Sequence, residues 1–339
     1  MNLVQRAVLS GGKLAPLVIE KGLTSGTGLM NPSVFIDDDG DILVNLRHVN
    51  YTLIHSENNQ MFPSIWGPLT YAHPEKDMTL RTTNYLMRLD EDLKVINHCL
   101  VDTTLLDIPP VWEFIGQEDC RLVKWDGEYY NIGVRRDTKT NGEGRMEMSK
   151  IKLDKNNWTA KEIERHRIPA PGDNNSYCEK NWYPILDKPY HFIKWTSPTE
   201  IVKTNILKAP ITCDQVSNQQ TIIPSLPDQR GGSQLIPWND NYYLSVTHEV
   251  NLFFNYLKQK DGIYRHRLCI WDKDYNLIGI SPEPFSFLDA RIEFAAGAAK
   301  HKNDLLISFG FQDNAAFVLK VPENVVEEMV LEAIKYVDN

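Results

Sequence analysis

Long hydrophobic runs are missing from the 339-residue sequence. No stretch approaches the roughly 18 consecutive apolar residues of a transmembrane helix, so no membrane association is expected. The segment from Met1 to Leu23 is broken by polar residues and glycines. It has no apolar core followed by a small-residue cleavage site, so we expect no secretory signal.

Cysteine is scarce and scattered. The five cysteines are Cys99, Cys120, Cys178, Cys213 and Cys269, and no two of them form a Cys-x-x-Cys pair. This pattern predicts neither a disulfide framework nor a zinc site, and it favours a reducing, cytoplasmic environment.

Positive charge is in deficit, with 36 Lys and Arg against 45 Asp and Glu and a net charge of −9. A chain this acidic has no overall electrostatic reason to bind nucleic acid or an anionic membrane. Its 42% hydrophobic and 24% charged residues are typical of a globular protein. The length would allow two domains, and the sequence leaves open whether the chain forms a homo-oligomer.

A local pattern occurs five times along the chain. Each copy has a polar or charged entry, an apolar strand, a tight turn, a second strand and a polar exit. Turns such as Asp126-Gly127 between apolar runs are strong hairpin signals, because both residues tolerate positive φ. The copies begin at Asn31, Glu118, Glu179, Arg230 and Glu293.

Five units of four strands closed in a ring predict an all-β fold, a five-bladed β-propeller forming a single domain over residues 1–339. Two stacked β-sandwiches are the alternative. A helix is expected only over 322–338, where apolar residues recur at helical spacing.

The predicted inner strands carry ionisable residues where a structural channel would have small apolar ones. The entries contain Asn31, Glu118, Asp119, Arg121, Glu179, Lys180, Arg230 and Glu293. The exits of the second strands add Arg47, His48, Arg135, Arg136, His248, Glu249 and Asp313. Gathering such groups around one axis is costly unless they pair or bind something, so the set predicts an active site, a salt-bridge ring between blades, or both.

The residue types suit a sugar and an anion. Carboxylates bind hydroxyl groups and aromatic faces cover C–H surfaces, while clustered Arg and Lys suit phosphate. A carboxylic acid can protonate a glycosidic oxygen while phosphate attacks the anomeric carbon. Attack by water with inversion would need a second carboxylate roughly 6.5–9.5 Å away, and the glutamates present leave hydrolysis open.

The motifs resemble glycoside hydrolase family 130, the β-mannoside phosphorylases and related five-bladed propellers. Gly116-Gln117-Glu118-Asp119-Cys120-Arg121 resembles the family's Gly-x-Glu-Asp-Pro-Arg motif. Glu179-Lys180-Asn181-Trp182 resembles Glu-Lys-Asn-Trp, and Phe309-Gly310-Phe311-Gln312-Asp313 is similar to Tyr-Gly-x-x-Asp. Arg230-Gly231-Gly232 and the strand ending at His248 resemble the fourth-blade pattern. The motifs occur in the family's order between about Asn31 and Val321.

The resemblance implies an inverting enzyme that transfers a hexose, expected to be mannose, and that uses neither a cofactor nor a metal. Its substrate would be a sugar or a sugar phosphate. Asp119 would be the general acid, acting directly or through a sugar hydroxyl, and Asp313 would hold the sugar. The expected substrate-binding residues are Asn31, Glu118, Glu179, Arg230, Glu293 and Asp313. The expected phosphate-binding residues are Arg47, Arg121, Arg136, Lys180 and His248.

Three departures affect the assignment. The chain around Arg135-Arg136-Asp137-Thr138 is unlike that of the family's phosphorylases. Cys120 replaces the motif's proline, and the segment 50–82, with Trp66, Tyr71 and Arg81, predicts a lid over the axis and an acceptor subsite. Some propellers of this kind resemble nucleotide-sugar-dependent mannosyltransferases. That activity, glycoside hydrolysis and non-catalytic glycan binding therefore remain alternatives to phosphorolysis.

Other motifs favour ordinary structural roles. The acidic segment 37–41 lacks the spacing of a calcium loop and predicts a hairpin turn. The glycine-rich segment 22–28 lacks the ending of a phosphate-binding loop and predicts a flexible loop. His48, His55 and His73 lack metal-ligand spacing, and Trp182 and Trp195 suit either sugar stacking or core packing.

Overall fold

The N-terminal segment supplies a strand to the far end of the fold. The computed structural model describes residues 1–55, 69–172, 176–219, 226–254, 258 and 260–338. The segment begins with α1 (Leu3–Leu9), β1 (Lys13–Leu17) and the short α2 (Lys21–Thr24).

Helix α1 was not expected from the sequence, which predicted a helix only at the C-terminus. It is seven residues long, too short for a periodic pattern to stand out, and Leu3 and Ala7 are buried. Its N-terminus is fixed by a capping box, in which the Asn2 side chain accepts from Gln5 N at 2.9 Å and the Gln5 side chain accepts from Asn2 N at 3.2 Å. Helix α2 likewise begins just before the segment 22–28, where we expected a loop.

Blade 1 follows, with an inserted hairpin. Its strands and those of the insertion are β2 (Leu29–Ile36), β3 (Ile42–Val49), β4 (Thr52–His55), β5 (Leu69–Ala72), β6 (Leu80–Leu89) and β7 (Val95–Asp102). The blade order from the axis outward is β2-β3-β6-β7, while β4 and β5 pair only with each other.

Blades 2 and 3 repeat this arrangement. Blade 2 contains β9 (Gln117–Trp125), β10 (Glu128–Arg135), β11 (Arg145–Asp154) and β12 (Thr159–Arg167), and the short β8 (Phe114–Ile115) precedes it. Blade 3 contains β13 (Tyr183–Pro184), β14 (His191–Trp195), β15 (Thr199–Asn205) and β16 (Thr212–Gln219). The outer strands β7 and β12 pair in parallel, which joins blades 1 and 2 in one sheet.

Blades 4 and 5 complete the ring. Blade 4 contains β17 (Arg230–Gly231), β18 (Ile236–Pro237), β19 (Tyr243–Phe254), β20 (Lys260–Trp271) and β21 (Leu277–Ile280). Blade 5 contains β22 (Glu293–His301), β23 (Asp304–Phe311) and β24 (Ala315–Val321), and β1 is its outer strand, running antiparallel to β24. The N-terminal strand therefore closes the propeller, and α3 (Glu323–Asp338) packs on blade 4.

The expected five-bladed propeller is thus confirmed, with its C-terminal helix, and the stacked-sandwich alternative is wrong. Asp126 and Gly127 have φ values of 52° and 79°, as expected for the tight turn of the β9–β10 hairpin. No helix in the described residues is both long and apolar enough to span a membrane.

The hub of the ring is held together by a buried side-chain amide. Gln234 Nε2 donates to Ser33 Oγ at 3.0 Å, to Leu122 O at 2.8 Å and to Val34 O at 3.2 Å. Its Oε1 accepts from Ala298 N at 3.0 Å. One side chain of blade 4 therefore joins the inner strands of blades 1, 2 and 5. Apolar clusters fill the spaces between the blades.

Candidate active site

Several inner-strand residues at one end of the axis adopt left-handed backbone conformations. The φ values are 44° at Asn31, 51° at Asp119, 61° at Asn181 and 51° at Asp313. Asn and Asp tolerate this region better than other L-residues, yet each such residue costs about 1–3 kcal/mol unless its surroundings fix it. Backbone strain gathered at one place marks a functional-site candidate, and we call this end of the axis the axial mouth.

Glycines on the neighbouring strands make this geometry sterically feasible. β9 and β10 shift register between Ile132 and Val134, beside Asp119. A Cβ on Gly133 would lie 2.3 Å from Glu118 O, and one on Gly310 would lie 2.2 Å from Asn31 Oδ1. Any larger residue at either position would displace the mouth residue beside it.

Arg47 connects the two acidic residues that begin β9. Its Nη1 donates to Asp119 Oδ1 at 2.8 Å and its Nη2 to Glu118 Oε2 at 3.2 Å, while its Nε donates to Thr82 Oγ1 at 3.1 Å. Asn31 Nδ2 donates to the same Asp119 oxygen at 2.7 Å. The blade 1 exit and the blade 2 entry, chosen from sequence as separate candidates, therefore form one network.

The carboxyl groups at this end of the axis have different pKa values, some raised and one lowered. Burial raises the pKa of Asp119, but Arg47 and Asn31 outweigh it and hold that pKa below its usual range. At Glu118 burial dominates, assisted by the charge of Asp119, and its pKa is raised. Burial raises the pKa of Asp313 to about 6, with Arg47 opposing the shift. The mouth therefore holds one firmly ionised carboxylate and two acids that keep their protons more readily.

Two buried acceptor atoms of this group have no hydrogen-bond partner among the described residues: Glu118 Oε1 and Asn31 Oδ1. Buried polar atoms are seldom left in this state, because each costs about 1–3 kcal/mol. A ligand that donates hydrogen bonds, such as a sugar hydroxyl, would satisfy them.

The opposite side of the mouth is basic. Lys180 and Arg230 are exposed at the start of blades 3 and 4, and neither has an ion-pair partner in the described part of the chain. Burial raises the pKa of Glu118 overall, and the charge of Lys180 opposes that shift. The Lys180 ammonium group therefore lies within electrostatic reach of the Glu118 carboxyl group. These two cations are available to an anionic ligand.

His248 lies beneath these cations as a neutral imidazole. Burial is the main cause that lowers its pKa well below the usual value, with smaller contributions from His266 and Arg121. Its ring stacks on Tyr264 at 6.0 Å and meets Phe294 edge-on at 4.8 Å. Its Nδ1 has no partner among the described residues, so it can exchange a hydrogen bond with a ligand without adding charge.

A cavity of about 280 Å³ extends from the basic side between blades 3 and 4. Lys180, Arg230, Lys194 and Trp195 contribute to its lining. Glu179 also lines it, and its Oε2 accepts from the Trp182 indole at 3.1 Å. Trp182 is buried in the core, whereas Trp195 is exposed and available for stacking.

Three candidates are engaged in other interactions. Arg121 is buried and donates to the carbonyl groups of Asp119, Gly232 and Gly231 at 2.7, 2.8 and 3.3 Å, which joins blades 2 and 4. Three of the five N–H groups of this guanidinium thus donate to backbone carbonyl groups and the side chain is only 1% exposed, so the structure shows Arg121 in a structural contact, and its expected phosphate contact stays a prediction.

Glu293 and Arg136 are likewise occupied. The Glu293 carboxylate accepts from three backbone N–H groups of the preceding turn, at 2.6, 2.7 and 3.0 Å, so the structure gives it a structural role in place of a substrate contact. Arg136 donates to Gly142 O at 3.0 Å and to Tyr177 OH at 3.0 Å. Its charge still reaches Glu118, where it partly offsets the burial that raises the pKa of that group.

Aromatic residues outside the expected sets of substrate-binding and phosphate-binding residues complete the mouth. Tyr51 follows β3, Tyr71 lies on β5, and their rings meet edge-on at 5.1 Å. The charge of Asp313 adds to burial in raising the pKa of Tyr51, Tyr71 and Tyr264, so all three lie within its electrostatic reach. Tyr71 belongs to the expected lid, and Trp66 of the same segment lies outside the described residues. For Tyr264, the available sequence signal was the alternation of side chains along β20, in which every second residue points toward the axis.

The described side chains give no support to a metal site at the histidines considered from the sequence. His48 contacts Thr27, Thr24 and Thr83 through both ring nitrogens. The side chain of His55 lies outside the described residues. Within the described ranges, no group of three or more His, Cys, Asp or Glu residues is arranged to hold a metal ion.

Comparison with known proteins identifies the fold. No protein-family model matches the sequence, and no curated protein sequence matches it. The structure resembles β-1,2-mannobiose phosphorylase from Listeria innocua, solved with β-1,2-mannobiose, with a TM-score of 0.54 and 12% identity over 94% of this chain and 96% of that chain. It also resembles a glycosyl hydrolase from Bacteroides ovatus, with a TM-score of 0.54 and 13% identity over 88% of this chain and 85% of that chain. These similarities confirm the glycoside hydrolase family 130-like propeller fold.

Proposed function

We propose that the chain is a carbohydrate-active enzyme that transfers a hexosyl group, most like a β-mannoside phosphorylase, with inversion at the anomeric carbon. The observation that carries this proposal is the division of the axial mouth. Asp119, Glu118 and Asp313 occupy one side, and the unpaired cations Lys180 and Arg230 occupy the other. Such a mouth suits a neutral sugar on the acidic side and an anion on the basic side.

In this proposal Asp119 is the general acid. In the absence of a ligand, Arg47 stabilises its carboxylate and lowers its pKa, so the group is poised as an anion. A phosphate that draws on the charge of Arg47 would weaken this stabilisation and raise the pKa of Asp119. Asp119 then takes up a proton from solvent as the ligands bind, and this proton passes to the departing glycosidic oxygen, directly or through a sugar hydroxyl, as phosphate oxygen bonds to the anomeric carbon and the glycosidic C–O bond breaks.

Phosphorolysis is favoured over hydrolysis by the electrostatics of the mouth. An inverting hydrolase needs an ionised second carboxylate to deprotonate water. Burial raises the pKa of Glu118, which makes it a weaker candidate for an ionised base, whereas Asp313, with a pKa of about 6, could still serve as one. Phosphate carries its own negative charge and needs cations instead of a base, and Lys180 and Arg230 supply them.

The inserted hairpin is assigned to the acceptor side. Leu53 N donates to Asn314 Oδ1 at 2.8 Å, which ties β4 to the loop that follows Asp313. Tyr71 on β5 faces the acidic group closely enough for Asp313 and Glu118 to raise its pKa further after burial. We therefore assign the described part of the segment 50–82 to a cover over the leaving sugar.

A nucleotide-sugar-dependent glycosyltransferase is the second candidate. The cavity between blades 3 and 4, with Lys180, Arg230 and the exposed Trp195, extends the basic side beyond the size of one phosphate. A diphosphate leaving group and a stacked base would fit this chemistry.

One set of assays tests the proposal. The purified chain is incubated with β-mannosides and inorganic phosphate, and in reverse with mannose 1-phosphate or GDP-mannose and a panel of sugar acceptors. We expect sugar phosphate release and a loss of about 10²–10⁴-fold in Asp119→Asn. Asp240→Asn, an exposed carboxylate in the β18–β19 turn, is the matched control.

The outcomes separate the candidates. Turnover with GDP-mannose and none with mannose 1-phosphate would favour the transferase, and phosphate-independent release of mannose would favour a hydrolase. Sugar binding without any product would indicate a glycan-binding propeller. Full activity in a folded Asp119→Asn variant would remove the general-acid assignment.

A further inference from the structure

A second cavity lies between blades 1 and 2, outside the group of residues used above. Its volume is about 380 Å³, which is within the usual range for small-ligand sites. Its walls come from β6, β7 and the strands of blade 2, together with the loop that follows β7. Thr82, whose hydroxyl accepts from Arg47 at 3.1 Å, lies between this cavity and the axial mouth.

Each arginine in its walls is paired with a carboxylate. Arg135 Nε donates to Glu147 at 2.5 Å, and Arg165 forms a two-point ion pair with Glu162. Arg81, at the rim, pairs with Asp77 at 3.3 Å. Because each arginine already has a carboxylate partner, the cavity offers no uncompensated cation to an anionic ligand.

Two buried acceptor atoms in the lining lack a donor. Asp137 Oδ2 accepts from Gly116 N at 2.8 Å and from Arg135 Nη1 at 3.3 Å, but its Oδ1 has no partner among the described residues. Asn131 Oδ1 is in the same state. Both residues are more than nine-tenths buried, so each orphaned oxygen carries a cost that a donor in the cavity would remove.

The rest of the lining alternates between hydroxyl and apolar groups. Thr103, Thr104 and Ser149 present hydroxyl groups, while Ile115 and Ile151 present hydrocarbon. Paired arginines, spare acceptors, hydroxyl groups and apolar patches together match a neutral molecule that carries many hydroxyl groups on a carbon frame. We propose that this cavity is a second binding site, separate from the axial mouth, for an uncharged polyhydroxylated molecule of monosaccharide size.

A plug variant tests the site without disturbing the buried network. Ile108 lines the cavity and is 61% exposed, so Ile108→Trp can obstruct it from the surface. Leu105 lies in the same loop, is 73% exposed and does not line the cavity, so Leu105→Trp is the matched control. Melting curves establish that both variants are folded.

Calorimetric titrations with D-mannose, D-mannitol and the diamine putrescine then measure binding. We expect D-mannitol or D-mannose to bind, Ile108→Trp to weaken that binding at least about tenfold, and Leu105→Trp to leave it unchanged. Binding of inorganic phosphate, which reports on the axial mouth, should be equal in all three proteins.

Two results would overturn the inference. If no polyol or sugar binding is sensitive to the plug, the cavity holds only water. If putrescine alone binds in a plug-sensitive way, the orphaned oxygens serve a cation. Neither result bears on catalysis by Asp119, so this test fails independently of the proposed function.

Discussion

Replacing Arg47 by methionine should destabilise the fold most at neutral pH. The substitution removes the contacts of 2.8 Å to Asp119 and 3.2 Å to Glu118 and leaves two adjacent carboxyl groups without a cation. The side chains of Arg47, Asp119 and Glu118 are only 8%, 19% and 16% exposed, so water replaces little of what is lost. Breaking a buried ion pair by removing one partner costs about 3–5 kcal/mol, and we expect a loss in this range at pH 7.5.

The pH dependence of this loss has a defined sign. In the native protein the pKa of Asp119 is depressed, with Arg47 overcoming burial. Its contribution to stability is therefore complete above the unfolded pKa and disappears as the pH falls through the folded value. In the variant, the two carboxyl groups can bind protons as the pH falls, which relieves their repulsion. Proton uptake by the variant makes the difference between the proteins shrink toward pH 4, whereas the native contribution of Asp119 is lost only below the unfolded pKa.

Urea unfolding followed by tryptophan fluorescence measures this difference at several pH values from 4 to 8. Arg47→Lys is the control, because one ammonium keeps the charge but cannot bridge both carboxylates in the fork geometry of Arg47. Its loss should be smaller than that of Arg47→Met. The reasoning is refuted if Arg47→Met matches the native protein within about 0.5 kcal/mol at pH 7.5, or if its deficit is as large at pH 4 as at pH 7.5.

Three further predictions concern single side chains. Because burial raises the pKa of Asp313 to about 6, stability should decline as the pH rises from the unfolded pKa to about 6 and be level above it, so Asp313→Asn should remove this decline from the stability profile and a step near pH 6 from any activity profile. An unchanged step would assign it to another group. Gln234→Ala should lower the free energy of unfolding by about 3 kcal/mol in urea titrations, because it strands buried backbone groups in three blades. A loss below about 1 kcal/mol would mean that the hub amide is not holding the blades. Asp37→Asn should cost about 3 kcal/mol at pH 7, and the cost should decline only as the pH falls below the unfolded pKa toward the folded one, because Lys124 and Lys155 overcome burial and keep the pKa of Asp37 far below its usual range. A pH-independent loss would contradict that ion-pair assignment.

The repeat, the turns and the C-terminal helix could be predicted because each rests on local chemistry. Asp126-Gly127 must turn wherever it lies between two apolar strands, and the 322–338 pattern is helical over its whole length. Helix α1 could not be predicted in this way, because two turns show too little periodicity and its stability comes from packing on the blades. The closure of blade 5 by β1 joins residues about 300 positions apart, and no local pattern reports such a contact.

The candidate site was predictable as a set of residues, whereas the direction of each side chain was not. Strand alternation breaks at Asp119, where φ is 51°, so positions after it cannot be assigned to a face by counting. Arg121 consequently turns its guanidinium to backbone carbonyl groups of blade 4. At Glu293, nearby N–H groups of a turn compete for the carboxylate, a local interaction that depends on the path of the chain.

The unequal pairing around the axis argues against a purely structural ring of salt bridges. A ring that served only to join the blades would match each charge to an opposite one, because an unmatched charge adds desolvation cost without any attraction. Arg47 meets this requirement with Asp119 and Glu118. Asp313, Lys180 and Arg230 do not, since they have no ion-pair partner within the described ranges, and burial raises the pKa of Asp313. The unmatched groups therefore support the proposed site, because their arrangement, an acid opposite two cations, fits a ligand that is neutral at one end and anionic at the other.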